Sequence, residues 1–544
     1  MMRKLITILL SAALIGSTTL AASAAQIDTA ETGAQSDAAI VAADYAEVGG
    51  TLEAPVTLPA SYNSADEGYT TPVRMQQYNT CWAYSSTATL ESLFLKKEEQ
   101  AFHLSTMHMN YWGTVRNNGS GWQRSYSAAG YPYIALGYLT SFGCINNKLF
   151  NESKTVDDFH AADGLYPYQA VNSVIYLDTN DRETVKTAVY QYGGVIGNFH
   201  YSSSYLQTRN AAYYFDIPGL ATAELNGHAI EIIGWDDNYS VSNFVSGHRP
   251  SSPGAWLCKN SWGEGWGNNG TFWISYEDLY LFESRFGPSY AITGASAINA
   301  NNKIQQNEIF GATYEFDYIQ NLRPNQNKMT YANMFDFSDG YHNIDKVVFE
   351  STSEGSKYTV HYIPIDAYGS PLTDSSKWTL LAQGNIDHQG YICAEVYGFN
   401  APKAKGAIGV TIEKNGNTDI GIGVDEWLTA GGNYLFKPES EYGQSYLIGY
   451  TGTAMDVMTF YQTKLNDNVG GTFVIKALCT NDKKAGDVDG DGYFTIKDVT
   501  FLQRGLVKIT NLDDEQRRFA DFDNNGISDI LDGTQMSRKL TFLD

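Results

Sequence analysis

The residues of this chain best equipped for covalent chemistry are a cysteine, a histidine and an asparagine that lie far apart in sequence. Segment 71–86 reads TPVRMQQYNTCWAYSS, with Cys81 at the head of a helix predicted over 83–97 (AYSSTATLESLFLKK). Free N–H groups and the macrodipole at a helix N-terminus favour negative charge, so a thiolate there is expected to have a lowered pKa and to act as a nucleophile. A buried, inert cysteine beside Trp82 is the competing reading. Downstream, 226–237 reads NGHAIEIIGWDD and 255–267 reads AWLCKNSWGEGWG. His228 heads one strand-like run and Asn260 ends another, so a general base and a residue to orient its ring are available if the fold brings them together. His108 and His200 sit in patterned stretches and read as packed or surface residues, and no HExxH or comparable metal spacing occurs. Cys144, Cys258, Cys393 and Cys479 could pair outside a cell, in combinations that one sequence leaves open.

A second constellation consists of carboxylates. The run from Asp487 to Asp498 and the run from Asp521 to Asp532 are copies whose starts are 34 residues apart. Oxygen side chains stand at positions 1, 3, 5, 9 and 12: Asp487, Asp489, Asp491, Thr495 and Asp498, then Asp521, Asp523, Asn525, Asp529 and Asp532. Position 6 is glycine in both, and position 7, which gives a backbone carbonyl in EF-hand-like loops, is Tyr493 and Ile527. Carboxylates about 4 Å apart repel by about 1 kcal/mol per pair even in water, so each loop is expected to hold one structural Ca2+. A solvated acidic surface is the alternative.

Elements able to position these groups follow from pattern and composition. At roughly 100–200 residues per domain, 544 residues leave room for about three to five domains. An apolar fraction of 43% with 13% aromatics can fill several cores. Sixty acidic against 36 basic residues give a net charge of −24, which excludes nucleic acid as an expected partner. Five cysteines without a CxxC pair exclude a disulfide-dense scaffold and a cysteine-rich zinc module. Arg3 and Lys4, the apolar run 5–15 and Ala22-Ser23-Ala24 read as a secretory signal peptide over 1–24, an uncleaved anchor being disfavoured because the run is too short for about 30 Å of hydrocarbon. No other stretch suggests a membrane span, so a secreted, extracellular protein is expected. Residues 25–57 read as a short pro-segment or linker. From 58 to 296, helices such as 181–192 precede strands such as 228–234 and 271–276, which suggests α+β. Residues 297–306 (AINANNKIQQ) read as a linker, and 307–479, with alternating runs at 345–350, 357–364, 407–412 and 444–450, as an all-β sandwich. A polar hinge at 480–485 leads to the acidic module 486–544.

Three resemblances attach to these residues. Gln76…Cys81-Trp82-Ala83-Tyr84-Ser85, Gly227-His228-Ala229 and the 259–263 stretch KNSWG with Trp266-Gly267 resemble the ordered motifs of papain-like cysteine peptidases. The 147 residues from Cys81 to His228 suit that family. The resemblance implies Cys81 as nucleophile, His228 as base and then acid, Asn260 as orienter, Trp262 as a shield over the Asn–His bond, and Gln76 as oxyanion donor. Gln76 stands five residues before Cys81 where the family has six, with Gln77 as the alternative register. Tyr78-Asn79 replaces a usual Cys-Gly, and Asn79 is expected to take the left-handed turn. Residues 238–253 form an insertion that either overhangs the cleft or lies idle on the surface. Region 307–479 resembles, more loosely, the lectin-like domain that follows some secreted bacterial peptidases, with carbohydrate as a partner if exposed rings stack on sugars. Region 486–544 resembles a type I dockerin, which implies a cohesin domain of a scaffoldin as partner, a cellulosome-like setting, and Ile496, Lys497, Ile530 and Leu531 as cohesin-reading positions. The expected whole is multidomain: an α+β papain-like cysteine endopeptidase acting on protein or peptide substrates, an all-β sandwich, and a small α dockerin with two calcium-binding loop–helix repeats. A scaffold-borne binding module with an impaired peptidase site is the alternative, and an inhibitory or self-processing role a third.

Overall fold

The computed structural model describes residues 57–98, 101–114, 121–154, 165, 167–177, 181–307, 313–316, 318–319, 323, 325–416, 420–426, 428–430, 433–438, 440–450, 452–465, 470–482, 485–523 and 526–541. The expected signal peptide and nearly all of the expected pro-segment lie outside these residues.

The first helix, Cys81–Glu98, contains no glycine or proline and ends on Lys96 and Lys97, which suit the negative end of its dipole. Trp82, Ala83, Leu90, Leu93 and Phe94 are all fully buried, so the helix is enclosed on every side up to its last turn. The helix Arg182–Tyr192 starts where Asp181 accepts a hydrogen bond from the Thr184 N–H and stops at Gly193, whose φ of 90° needs glycine. Against these helices lie antiparallel strands: Val195–His200 pairs with Gly227–Asp236, which pairs with Ala255–Lys259, which pairs with Thr271–Ser275.

The β domain is a sandwich. One sheet, in the order 379–385, 357–363, 405–413, 328–336, 445–448 and 455–456, faces strands 343–351, 390–400 and 475–480 across a core that includes Met329, Tyr331, Val347, Phe349, Val360 and Val410. The second sheet does not stop at the domain edge. Gly390 and Tyr391 pair with Ile175 and Val174 of the peptidase strand Gln169–Leu177, so one sheet of thirteen strands among the described residues runs through both domains. Phe436, from the β domain, is fully buried and lies 5.1 Å from the Trp122 ring of the peptidase domain.

The expected linker 297–306 is therefore corrected: Asn302–Gln305 is a strand paired with 477–480, a partner too distant for any local pattern to reveal. All five cysteines are free, so none of the open pairings is formed. The C-terminal module comprises helices Ile496–Leu506, Asp514–Ala520 and Ile530–Leu540 around a small core of Val488, Val499, Leu502, Leu512, Ala520 and Met536. No helix among the described residues is long and apolar enough to cross a membrane.

Candidate active site

Strand pairing brings His228 beside Asn260, and the helix headed by Cys81 packs its thiol against the residue after His228. Cys81 opens its helix just after Thr80, whose carbonyl accepts the Ala83 and Tyr84 N–H groups at 2.9 and 3.1 Å. His228 stands at the start of its strand, and Asn260 directly follows the neighbouring strand. The Asn260 Oδ1 lies 2.8 Å from His228 Nε2. The backbone N–H of Ser261 donates to that same Oδ1 at 2.7 Å, which identifies the atom as oxygen. Nε2 of His228 must then carry the proton, leaving Nδ1 as the bare, basic nitrogen. Trp262 stacks on the imidazole with ring centroids 4.3 Å apart.

The Cys81 thiol sits against the backbone of Ala229, the residue after His228. The expected lowering of its own pKa is corrected: burial pushes the half-buried thiol up, and the backbone N–H groups of Ala229, Trp82 and Cys81 offset only part of this. Burial also drives His228 down to about 4, against the pull of Asn260. Either charge alone is costly in so dry a place. The helix end alone therefore does not make this thiol a ready thiolate.

Gln76 is fastened from both sides. Its backbone N–H donates to the Ser261 carbonyl at 2.7 Å, and the Ser261 hydroxyl donates to Gln76 Oε1 at 2.7 Å. This fixes the amide with its NH2 group toward the turn, where one hydrogen goes to the Tyr78 carbonyl at 2.9 Å. The second N–H of that amide takes no part in these bonds. The shortened loop is accommodated at Tyr78, which takes φ 58°, and not at Asn79 as expected. The Tyr78 ring packs edge-on to Tyr126 at 5.6 Å, a contact that helps to hold a bulky residue in the left-handed region.

The sequence reading missed a buried polar chain behind these residues. Arg74 Nη2 pairs with Glu91 Oε1 at 3.1 Å, and Lys259 Nζ pairs with Glu231 Oε2 at 3.1 Å. Charged residues inside the apolar runs HAIEIIG and AWLCK were the signal that could have revealed it. His108 and His200 are packed into the protein: His108 is buried with Nδ1 2.9 Å from the Tyr138 hydroxyl, and His200 Nδ1 accepts the Asn226 N–H at 2.9 Å. The insertion is pinned to the protein, with Tyr239 stacked on Trp273 at 4.5 Å and His248 Nδ1 2.8 Å from Asp216 Oδ1.

In the C-terminal module, carboxylate oxygens of Asp487, Asp489 and Asp491 lie within 4.8 Å of one another, as do those of Asp521, Asp523 and Asp532. Asp487, Asp523 and Asp532 are buried, and Asp487 Oδ1 has no hydrogen-bond partner among the described residues. Buried, converging hard oxygens of this kind fit Ca2+. Gly492 and Gly526 take φ 86° and 84°, and their N–H groups each donate to the first aspartate of their loop at 2.8 Å. Other expected ligands are placed differently. Asp498 accepts the Asp489 and Thr495 N–H groups, while Thr495 and Asp529 cap the helices that follow, accepting from Lys497 and Leu531. Tyr493 has an exposed ring, Ile527 follows the second glycine turn, and Asn525 lies outside the described residues. Ile496, Ile530 and Leu531 are exposed at the helix starts, with Lys497 beside them.

Comparison with known proteins agrees with this geometry. Residues 58–283 match the family model for papain family cysteine proteases, and residues 306–479 match that for a lectin-like domain. A solved structure of the clostridial cysteine protease Cwp84 after propeptide cleavage is 33% identical, with a TM-score of 0.66 over 77% of this chain and 99% of that one. A second, of the cysteine protease and lectin-like domains of Cwp84, a surface layer associated protein of Clostridium difficile, is 32% identical, with a TM-score of 0.67 over 78% of this chain and 90% of that one. Human cathepsin L2 is 26% identical over 220 residues, 39% of this chain and 59% of that protein. The rice (Oryza sativa subsp. japonica) oryzain gamma chain is 25% identical over 231 residues, 40% of this chain and 54% of that protein. The chain thus spans less than two thirds of the length of these two curated relatives.

Proposed function

Because the chain belongs to the papain family of cysteine proteases, we propose that this peptidase cleaves protein or peptide substrates with Cys81 as nucleophile, His228 as acid–base and Asn260 as orienter. The observation that carries the assignment is the His228 Nε2 to Asn260 Oδ1 bond of 2.8 Å, which leaves Nδ1 to take the Cys81 proton. The thiolate attacks the scissile carbonyl carbon. The oxyanion forms between the free N–H of Gln76 and the Cys81 backbone N–H. His228 then protonates the leaving amine, and afterwards removes a proton from the water that hydrolyses the thioester. Cys81→Ala is expected to abolish hydrolysis of a casein or peptide substrate with the fold intact by circular dichroism, and retained hydrolysis would reject the assignment.

Extracellular action fits the predicted signal peptide and the similarity to Cwp84, a surface layer associated protein. For the C-terminal module the dockerin reading is supported by the duplicated loops, by their two clusters of carboxylates and by the exposed Ile496, Lys497, Ile530 and Leu531. Calcium would be held by Asp487, Asp489 and Asp491, and by Asp521, Asp523 and Asp532, neutralising their repulsion so that the helix starts are presented to a cohesin. Pull-down by a panel of cohesins with calcium, abolished by chelator, tests it. A sugar bound by the β domain would stack on Tyr368 or Tyr397, its most exposed rings among the described residues.

A further inference from the structure

The catalytic groups of this peptidase come from a helix on one side and from strands on the other, so their spacing depends on how the helix sits on the sheet. One buried side chain touches both sides. Glu231 follows His228 by three residues on the same strand and stands opposite Lys259, the residue before Asn260. Its Oε2 pairs with Lys259 Nζ at 3.1 Å, and its Oε1 accepts the hydroxyl of Ser92, on the Cys81 helix, at 2.6 Å. Glu231, Lys259 and Ser92 are all buried.

The surrounding backbone is shaped around this contact. A Cβ on Gly194 would meet Glu231 Oε1 at 2.4 Å, and one on Gly193 would meet the Ser92 carbonyl at 2.7 Å. From Lys259 the connection continues through Thr71, whose hydroxyl receives the ammonium at 3.3 Å and donates to Glu91 at 2.6 Å. Glu91, again on the Cys81 helix, pairs with Arg74, two residues before Gln76. Every element that carries a catalytic group is thus tied into one chain of ion pairs and hydrogen bonds.

Buried ion pairs cost desolvation and stabilise little relative to apolar packing of the same volume; what they supply is a single allowed alignment. We propose that Ser92, Glu231 and Lys259 are positioning residues that register the Cys81 helix against the His228 and Asn260 strands and so set the thiol–imidazole geometry. This rests on the triad reading above. A helix free to shift by a fraction of an ångström would bind substrate as before but transfer the Cys81 proton less readily, so the loss should fall on kcat and not on KM.

The test compares Ser92→Ala and the charge-free Glu231→Gln/Lys259→Met double variant with the wild-type full chain by kcat, KM and the pH profile of iodoacetamide alkylation at Cys81, with Cys81→Ala as the hydrolysis control. Ser92→Ala leaves the ion pair intact, and the double variant leaves no unpaired charge if Glu231→Gln alone fails to fold. The inference predicts kcat lowered about tenfold in Ser92→Ala, the scale of one hydrogen bond to a charged group, with KM within twofold. It also predicts slower alkylation below pH 7 in both variants, because less of the thiolate–imidazolium pair is formed. Wild-type kcat and an unchanged alkylation profile in folded Ser92→Ala would overturn it, as would an equal rise in KM with kcat unchanged. Residual hydrolysis in Cys81→Ala would instead remove the triad reading itself.

Discussion

Burial acts on Cys81 and His228 in opposite directions, and this sets the pH range in which the site can work. With His228 held down to about 4, the imidazole remains a base across the mildly acidic range. Below about pH 4 it takes a solvent proton while Cys81 is still a thiol, and the nucleophile cannot form. We therefore predict that kcat/KM falls on the acid side with a midpoint near pH 4, measurable with a fluorogenic peptide; a midpoint at the ordinary imidazole value of about 6.5 would mean a wetter site. The same depression makes the site resist a proton that the unfolded chain accepts, so its contribution to stability is complete above about 6.5 and is lost as pH falls through about 4. At the oxyanion, Gln76→Ala should lower kcat by about 10²–10³, with Gln77→Ala nearly silent. Ser261→Ala, which only frees the Gln76 amide to rotate, should lower kcat by about 2–10-fold, the scale of one neutral hydrogen bond. Cys81, His228 and Asn260 were legible as candidates because their types and order are distinctive; the rise of the isolated thiol was not, because it comes from walls that only the fold assembles.

Local signals served the elements well where the sequence had to punctuate them. Asp181 and Gly193 bracket a helix within a residue of its predicted limits, and the run beginning at Cys81 stays helical because nothing within it breaks the pattern. Two features escaped for a shared reason. The polar stretch 302–305 becomes a strand only because 477–480 offers it backbone partners, and the left-handed residue in the Gln76 loop is Tyr78 because its ring finds Tyr126. Neither partner is near in sequence. Glycine 194 belongs to the same class, since its role is to leave space for Glu231. Gly194→Ala is predicted to destabilise the protein by about 1–3 kcal/mol, as overpacking of a filled interior does, read as a lower midpoint in urea.

At the scale of the molecule, the continuous sheet and shared core make the lectin-like domain part of the peptidase's structure. Val348, Tyr391, Phe436 and Val474 pack into the same cluster as Trp82, Leu90 and Trp122. Phe436→Ala should cost about 3–5 kcal/mol and lower the unfolding of both domains together, and a thermal scan showing two independent transitions would contradict this. The C-terminal module stands on different terms, with a core so small that bound cations should supply much of its folding free energy. Calorimetry on the full chain is expected to find two calcium ions, with peptidase activity retained in chelator, since the catalytic residues share no ligand with the loops. The measurement that bears most directly on the catalytic assignment is alkylation of the folded protein by iodoacetamide at pH 5, followed by mass spectrometry of each cysteine. Cys81 is expected to be modified fast and with parallel loss of proteolysis, while Cys144, Cys258, Cys393 and Cys479 stay unmodified. Labelling of Cys81 no faster than of Cys393, or full activity after Cys81 has been alkylated, would contradict it.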